Sequence, residues 1–251
     1  MITYKSPREI VLMRDAGRVV AEVLSALGAM CRPGTATEAL DAEAVRIIGT
    51  RGATALFKGY RGYPANICVS INEEVVHGIP GPRRLAEGDI VSVDVGVQLC
   101  GYCADAAATF PVGRVTEERR QLLRVTEEAL WKGIAAVRPK GRLSEVAAAI
   151  QDHVEAHGCS VVRKFVGHGI GREMHEDPQV PNFRWDASEN YERVLRPGVV
   201  IAIEPMVNEG THEVDTLANG WTVVTRDRAA SAHFEHTVAV TEAGHEILTL
   251  P

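Results

Sequence analysis

Two stretches of this chain read as copies of each other. Leu85-Ala86-Glu87-Gly88-Asp89-Ile90-Val91-Ser92-Val93-Asp94 and Leu195-Arg196-Pro197-Gly198-Val199-Val200-Ile201-Ala202-Ile203-Glu204 align Leu with Leu, Gly with Gly and one β-rich apolar run with the other. Each run ends on a carboxylate, Asp94 in the first and Glu204 in the second. An acidic group in such a run is costly to bury unless it is paired or binds a metal. Its repetition points to a site built between two related halves, with oxygen ligands from both.

The flanking sequence repeats the same plan. Ser6-Pro7-Arg8-Glu9 is a capping box with Pro at the first helical position. Ile10, Met13, Gly17, Val20, Leu24 and Leu27 follow at helical spacing, which predicts a helix to about Met30, stopped by Arg32-Pro33-Gly34. A second helix is expected from near Thr37, then strands from about Ala65 to Val112. Thr116 next opens a helix carrying Leu122, Leu123, Ala129, Leu130 and Val137. Ser144 opens another with Val146, Ile150 and Val154, and more strands follow from about Ser160. Leu24 matches Leu130, Pro33 matches Pro139, and Arg51-Gly52-Ala53 matches His157-Gly158-Cys159. The reading is α+β, with halves of about residues 6–112 and 113–251 inside one domain spanning 1–251. So long a period marks a duplication rather than a solenoid repeat.

With 251 residues, 45% of them hydrophobic, the chain can bury a substantial core. The net charge is -6 and no basic tract stands out, which argues against a specific nucleic-acid partner. The N-terminus has no apolar signal region and no apolar run is long enough for a bilayer, so no membrane association is expected. Five cysteines, an odd number without an export signal, fit a reduced, cytoplasmic chain.

Asp94 is expected to end one strand, with a hairpin through Gly96 and Gly101 returning the chain to Asp105. Carboxylates on paired strands can face a common point. Glu204 lies on the matching strand of the second half, and Glu235 lies in the run Ala232 to Val240. If Asp94 pairs with Glu204 by symmetry, Asp105 pairs with Glu235. Four converging carboxylates repel one another, and divalent cations, two for so rich a set, are the natural remedy. Gly167-His168-Gly169-Ile170-Gly171 supplies one imidazole between glycines that let a ligand approach closely. His77 and His175 each begin a His-x-x-Pro, one per half, and read as a symmetric pair flanking the site.

Each of these residues alone has an ordinary alternative. Asp94 could cap a turn, Asp105 could end a solvated hairpin, His168 could be a loop histidine and Glu204 an exposed strand end. Five ligand-type residues in two-fold correspondence favour the site. His153 and His157, at i and i+4, imitate half a zinc site but need a third ligand that the sequence does not place. Cys100-Gly101-Tyr102-Cys103 falls in a hairpin rather than at the start of a βαβ helix, so it reads as ordinary loop thiols. His236 should point away from Glu235, because strand side chains alternate. His212, His233 and His245 receive no role.

Over nearly its whole length the chain resembles the type I methionine aminopeptidases, which have the duplicated pita-bread fold. The matches, in order and spacing, are Gly59-Tyr60-Arg61-Gly62-Tyr63-Pro64, Ser70-Ile71-Asn72-Glu73, His77-Gly78-Ile79-Pro80, Gly167-His168-Gly169-Ile170-Gly171, Ile203-Glu204-Pro205-Met206 and Glu235-His236-Thr237. The resemblance implies two divalent ions (Co, Mn, Fe or Zn) on Asp94, Asp105, His168, Glu204 and Glu235. It implies a methionine pocket of Phe57, Tyr60, Tyr63, Cys68, Met174 and Trp221, although position 174 is often aromatic in the family. Cys103-Ala104, before Asp105, also departs from the usual Gly-Asp.

The implied activity is removal of initiator methionine from nascent proteins and peptides, with a small second residue preferred, through a hydroxide bridging the metals. Glu204 would move the proton, while His77 and His175 would contact the substrate backbone and the developing oxyanion. The implied protein is a cytoplasmic monomer in transient contact with the ribosome. An Xaa-Pro peptidase is the second enzyme reading. Those proteins usually carry an extra N-terminal domain, for which a first helix starting at Ser6 leaves no room. A non-catalytic pita-bread binding protein is the third reading; such proteins tend to lose ligands, and none is missing. The short run from His175 to Glu204 favours type I over type II.

Overall fold

The computed structural model describes residues 2–185 and 193–251. The capping box forms as the sequence predicts: the Ser6 hydroxyl accepts from the Glu9 amide and the Glu9 carboxylate accepts from the Ser6 amide at 2.9 Å. From there α1 (Pro7–Met30) is followed by α2 (Thr37–Thr50), β1 (Thr54–Ala55), β2 (Cys68–Ile71), β3 (Glu74–Val76) and the long hairpin β4 (Ile90–Leu99) and β5 (Tyr102–Pro111). The second half opens with α3 (Glu117–Ala135), capped by the Thr116 side chain, and α4 (Leu143–Ala156). The latter starts one residue before the expected Ser144. Strands β6 (Ser160–Val161), β7 (Gly167–Gly169), β8 (Glu176–Val180), β9 (Val200–Ile203) and β10 (Met206–Asn208) follow. They lead to β11 (Val214–Thr216), β12 (Val223–Thr225), β13 (Ser231–His233), β14 (His236–Thr241) and β15 (Gly244–Ile247).

Two apolar cores back the sheets. One packs α1 and α2 residues such as Val20, Leu27 and Leu40 against Val91, Val93, Val95 and Val97 of β4. The other packs α3 and α4 residues such as Leu130, Ile134 and Ile150 against Ile201, Ile203 and Val207. Asp94 alternates with the core-facing Val93 and Val95 along β4, so the candidate site lies on the sheet face away from that core.

Strand register exposes the duplication. In the first half β4 lies between β1 and β2 and also pairs with β5. In the second half the equivalent of β4 is divided: β9 pairs with β7 and β14, while β10 pairs with β6 and β13. The division falls at Glu204-Pro205, where proline cannot donate to a ladder. Val97 faces Ala55 three residues after Asp94, and Val207 faces Val161 three residues after Glu204, so the two acids are equivalent, as the sequence indicates.

The halves join through an isolated antiparallel bridge between Ala107 and Glu235. Two threonines stitch the seam on either side of it. The Thr109 hydroxyl donates to the His233 carbonyl (2.8 Å) and accepts from the His233 amide (2.9 Å). The Thr237 hydroxyl donates to the Asp105 carbonyl (2.7 Å) and accepts from the Asp105 amide (3.0 Å). This reciprocity makes His233 the counterpart of Asp105 and Ala107 the counterpart of Glu235. The expected Asp105–Glu235 equivalence is therefore corrected: the two acids sit on facing strands at the seam, two register positions apart.

Candidate metal centre and substrate pocket

Asp94 does not end its strand. It sits in the middle of β4, opposite Cys68 on β2 and Ala107 on β5, and the hairpin turns only at Cys100 and Gly101. Gly96 stays inside the strand rather than making the turn. It faces Asp105 across the hairpin, and a Cβ there would lie 2.6 Å from the Phe57 ring. The missing side chain lets Phe57 settle against β4 at the pocket wall.

His168 is held by the close packing of its neighbours. A Cβ on Gly167 would meet the Ala202 carbonyl at 2.3 Å, and one on Gly169 would meet the Asp177 carbonyl at 2.1 Å. The ring Nδ1 lies 2.9 Å from the Gly169 carbonyl, which can only accept, so the proton sits on Nδ1. That leaves the Nε2 lone pair free to face the acids, the orientation a metal-binding imidazole needs. Nε2 is 3.6 Å from Glu204 Oε1.

Among the described residues, Asp105, His168 and Glu235 offer ligand atoms that all lie within 4.8 Å of one another. Asp94 and Glu204 line the same cavity. Asp105 and Glu235 are 4% and 3% exposed. Burial pushes all four carboxyls up: Asp105 to about 7, and Asp94, Glu204 and Glu235 well above the usual carboxylate range, each raised further by neighbouring acids. Asp94 Oδ1, Asp105 Oδ1 and Glu235 Oε1 are buried and receive no hydrogen bond from the described residues. Orphaned carboxylate oxygens packed together, with one lone pair of imidazole beside them, are the hard donor set that divalent cations satisfy.

Above this floor, one cavity of about 160 Å³ is lined by every residue that the sequence assigned to the pocket: Phe57, Tyr60, Tyr63, Cys68, His77, Met174, His175 and Trp221. Tyr63 is fixed by donating to the Gly78 carbonyl at 2.8 Å, and its ring meets Trp221 edge-on at 5.1 Å. His77 packs edge-on between Phe165 (5.5 Å) and Trp221 (6.5 Å). His175 stacks on Tyr60 at 5.3 Å and lies 4.1 Å from the His168 ring. Burial, with His168 and Arg61 nearby, pushes His175 down to about 3, and burial also lowers His77. Both are neutral at physiological pH, so each offers one N–H donor and one acceptor.

Two residues of this region escaped the sequence reading. Arg61 lines the cavity from an exposed position. His233, given no role, is 2% exposed with Nε2 4.0 Å from Glu235 Oε2. The only signal for His233 was its place two residues before Glu235, on the same strand face. The decoys fall elsewhere. His153 and His157 lie with rings 4.5 Å apart, and Glu128 comes within 3.1 Å of His153, outside the cavity lining. Cys100 and Cys103 are free thiols, and Cys103 Sγ points to the Arg172 carbonyl. His236 turns from Glu235 to the Thr249 hydroxyl at 2.8 Å.

Residues 11–242 match metallopeptidase family M24. The chain is 51% identical to methionine aminopeptidase 1 of Bacillus subtilis, with 99% of each chain covered. It superposes on the crystal structure of methionine aminopeptidase from Thermotoga maritima with a TM-score of 0.96 at 46% identity, covering all of both chains. The prolidase from Pyrococcus furiosus shares the fold alone, with a TM-score of 0.78 at 22% identity, and this chain covers 65% of it. The chain belongs to metallopeptidase family M24 and, within it, to the methionine aminopeptidases.

Proposed function

We propose that this chain removes the initiator methionine from new proteins and peptides, as one catalytic unit over residues 1–251. The observation that carries the reading is a single cavity whose floor is Asp94, Asp105, His168, Glu204 and Glu235 and whose walls are apolar and aromatic. These five residues would hold two divalent ions, of Co, Mn, Fe or Zn. When bound, the ions supply Lewis acidity and a water made nucleophilic at neutral pH.

The chain's own groups supply the rest. Phe57, Tyr60, Tyr63, Cys68, Met174 and Trp221 receive the first side chain, and an unbranched thioether adapts well to such a mixed apolar wall. The ion-bearing floor would take the substrate's free α-amino group as a neutral amine, which restricts cleavage to the first residue. Glu204 takes the proton of the attacking water and passes it to the leaving amine, the work of a positioned general acid–base. His175, neutral, donates to the carbonyl oxygen as negative charge develops there. His77, on the opposite wall, hydrogen-bonds the backbone at the scissile bond.

This activity belongs in the cytoplasm, on chains emerging from the ribosome and met transiently by a monomer. Five free cysteines support a reduced compartment, and no described helix is long and apolar enough to cross a membrane.

The test is hydrolysis of Met-Ala-Ser against Xaa-Pro peptides, with and without Mn or Co. Metal-dependent release of methionine is expected, and exclusive cleavage of Xaa-Pro would refute the reading. Glu204→Gln should lower kcat by about 10²- to 10⁴-fold, the range for a positioned acid–base group. Full activity with metal bound would remove Glu204 from that role.

A further inference from the structure

The cavity floor is acidic, yet its mouth is cationic. Among the described residues that line it, the only acids are Asp94, Asp105, Glu204 and Glu235, all on the floor. The one permanently charged residue of the exposed lining, among the described residues, is Arg61. Its guanidinium lies over the Tyr60 ring, 5.4 Å from the centroid, and Tyr60 in turn stacks on His175. The opposite wall repeats the device. Lys164 Nζ lies 5.9 Å from the centroid of Phe165, and Phe165 packs against His77. Each histidine flanking the site is thus backed by an aromatic ring that carries an exposed cation, Arg61 in the cavity lining and Lys164, which also donates to the Thr216 hydroxyl at 3.4 Å, behind His77.

Arg61 is placed by its backbone. Its φ is +49°, in the left-handed region, between Gly59 at +86° and Gly62 at +90°. Four hydrogen bonds close this turn: Tyr60 amide to Phe57 carbonyl, Gly62 amide to Gly59 carbonyl, Tyr63 amide to Tyr60 carbonyl and Gly59 amide to Tyr63 carbonyl. A non-glycine residue held left-handed is strained and persists only where its surroundings enforce it. Among the described residues no acid pairs with Arg61, whose contact is the Tyr60 ring, so its charge is available to a ligand.

We propose that this rim reads the substrate downstream of the scissile bond, favouring peptides with acidic side chains at the third and fourth residues. The inference rests on the aminopeptidase reading. With the first residue in the pocket and its free amino group at the floor, the rest of the chain leaves past His77 and His175, the histidines backed by Phe165 and Tyr60. An extended peptide advances about 3.3–3.6 Å per residue, so the residues just past the second are the first to reach the rim. A guanidinium on an aromatic face is partly desolvated and still presents N–H groups for a carboxylate.

The test compares kcat/KM for Met-Ala-Glu-Ser, Met-Ala-Lys-Ser and Met-Ala-Ser-Ser in the metal-loaded enzyme. The Glu:Lys ratio is expected to be about 3–10 at low ionic strength, the size of an exposed ion pair, and to fall toward one as salt shortens the Debye length. Arg61→Glu should invert the ratio and Lys164→Glu should reduce it. Because each ratio is taken within one variant, a general loss of activity does not disturb it, and Arg61→Asn tolerates the left-handed φ should the Glu variant fold poorly. A wild-type ratio of one, or a ratio that survives Arg61→Glu and Lys164→Glu, overturns the proposal. Failure of the wild type to cleave Met-Ala-Ser-Ser at all would instead overturn the aminopeptidase reading beneath it.

Discussion

Thr109→Val and Thr237→Val test the seam between the halves, because they remove matching hydroxyls with almost no change in shape. Each hydroxyl serves both a backbone N–H and a backbone C=O across the seam, at 2.7–3.0 Å. Thr109, Thr237, Asp105 and His233 are all at most 4% exposed, so water cannot replace the lost partner. Two orphaned groups at about 1–3 kcal/mol each, softened by some relaxation, predict a loss of about 2–4 kcal/mol per variant. For a chain of this length that is a fall in Tm of roughly 5–15 °C. Thr109 also bonds the Ser92 hydroxyl at 2.8 Å, so its loss should be the slightly larger of the two.

Metal affinity should separate the pair. Thr237 holds the backbone of Asp105, a candidate ligand, whereas Thr109 holds His233. Thr237→Val should therefore weaken divalent-ion binding by about 10- to 100-fold, as loss of a group orienting a ligand does. Thr109→Val should weaken it less. Thermal melts of chelated protein and calorimetric Mn titrations give the two readouts. Losses under about 1 kcal/mol in both variants, the worth of an ordinary hydrogen bond, would refute the reasoning about the seam. Equal losses of metal affinity would refute the assignment of Asp105.

Two other perturbations follow from the same geometry. Gly96→Ala puts a methyl 2.6 Å from the Phe57 ring, so Phe57 must move into the pocket. Stability should fall by about 1–3 kcal/mol, with KM for Met-Ala-Ser rising more than kcat falls; an unchanged KM would show that Phe57 does not shape the pocket. Chelated protein should lose stability as pH rises above about 7; below that the buried histidines, His175 and His233 pushed down to about 3, gain stability with rising pH and offset the carboxyls. The folded carboxyls hold protons more tightly than unfolded ones; Asp105's share, with its carboxyl pushed up to about 7 from 3.8, is full below about 4 and lost as pH rises through 7, and Asp94, Glu204 and Glu235, raised in the same direction, carry the decline onward. Metal-loaded protein should lack this decline, and urea unfolding at several pH values with and without Mn decides it.

The helices and the Asp94–Glu204 correspondence were legible because both depend on local pattern. The capping box at Ser6 and the Thr116 cap mark helix starts within one turn of chain, and the two apolar runs carry their acids at the same offset from a shared Leu-x-x-Gly. The partner of Asp105 was not legible. In the second half β11 and β12 lie between β10 and β13, and β13 and β14 are separated at Phe234-Glu235. An insertion and a break together destroy any count along the chain, and only the Ala107–Glu235 bridge restores the register. Asp94 was misplaced at a strand end for a related reason. Gly96 looked like a turn residue, yet its missing side chain makes room for a ring brought from elsewhere. Arg61 was passed over because the turn that holds it draws attention to its tyrosines.

The register also explains how a duplicated chain can act in one direction. At the seam, symmetry sets Asp105 against His233 and Glu235 against Ala107, so each half places one carboxylate where the other does not. The acids therefore alternate across the axis instead of facing their own copies. Asp94 and Glu204 remain equivalent in position but not in backbone: Asp94 is clamped within a continuous strand between β2 and β5, while Glu204 sits where the ladder is interrupted before Pro205. An interrupted strand gives its side chain more freedom to swing than a doubly paired one, and a proton carrier has to reach two atoms in turn where a plain ligand reaches one. The break at Pro205 is thus the feature that would suit Glu204, rather than Asp94, to the proton-moving role proposed for it.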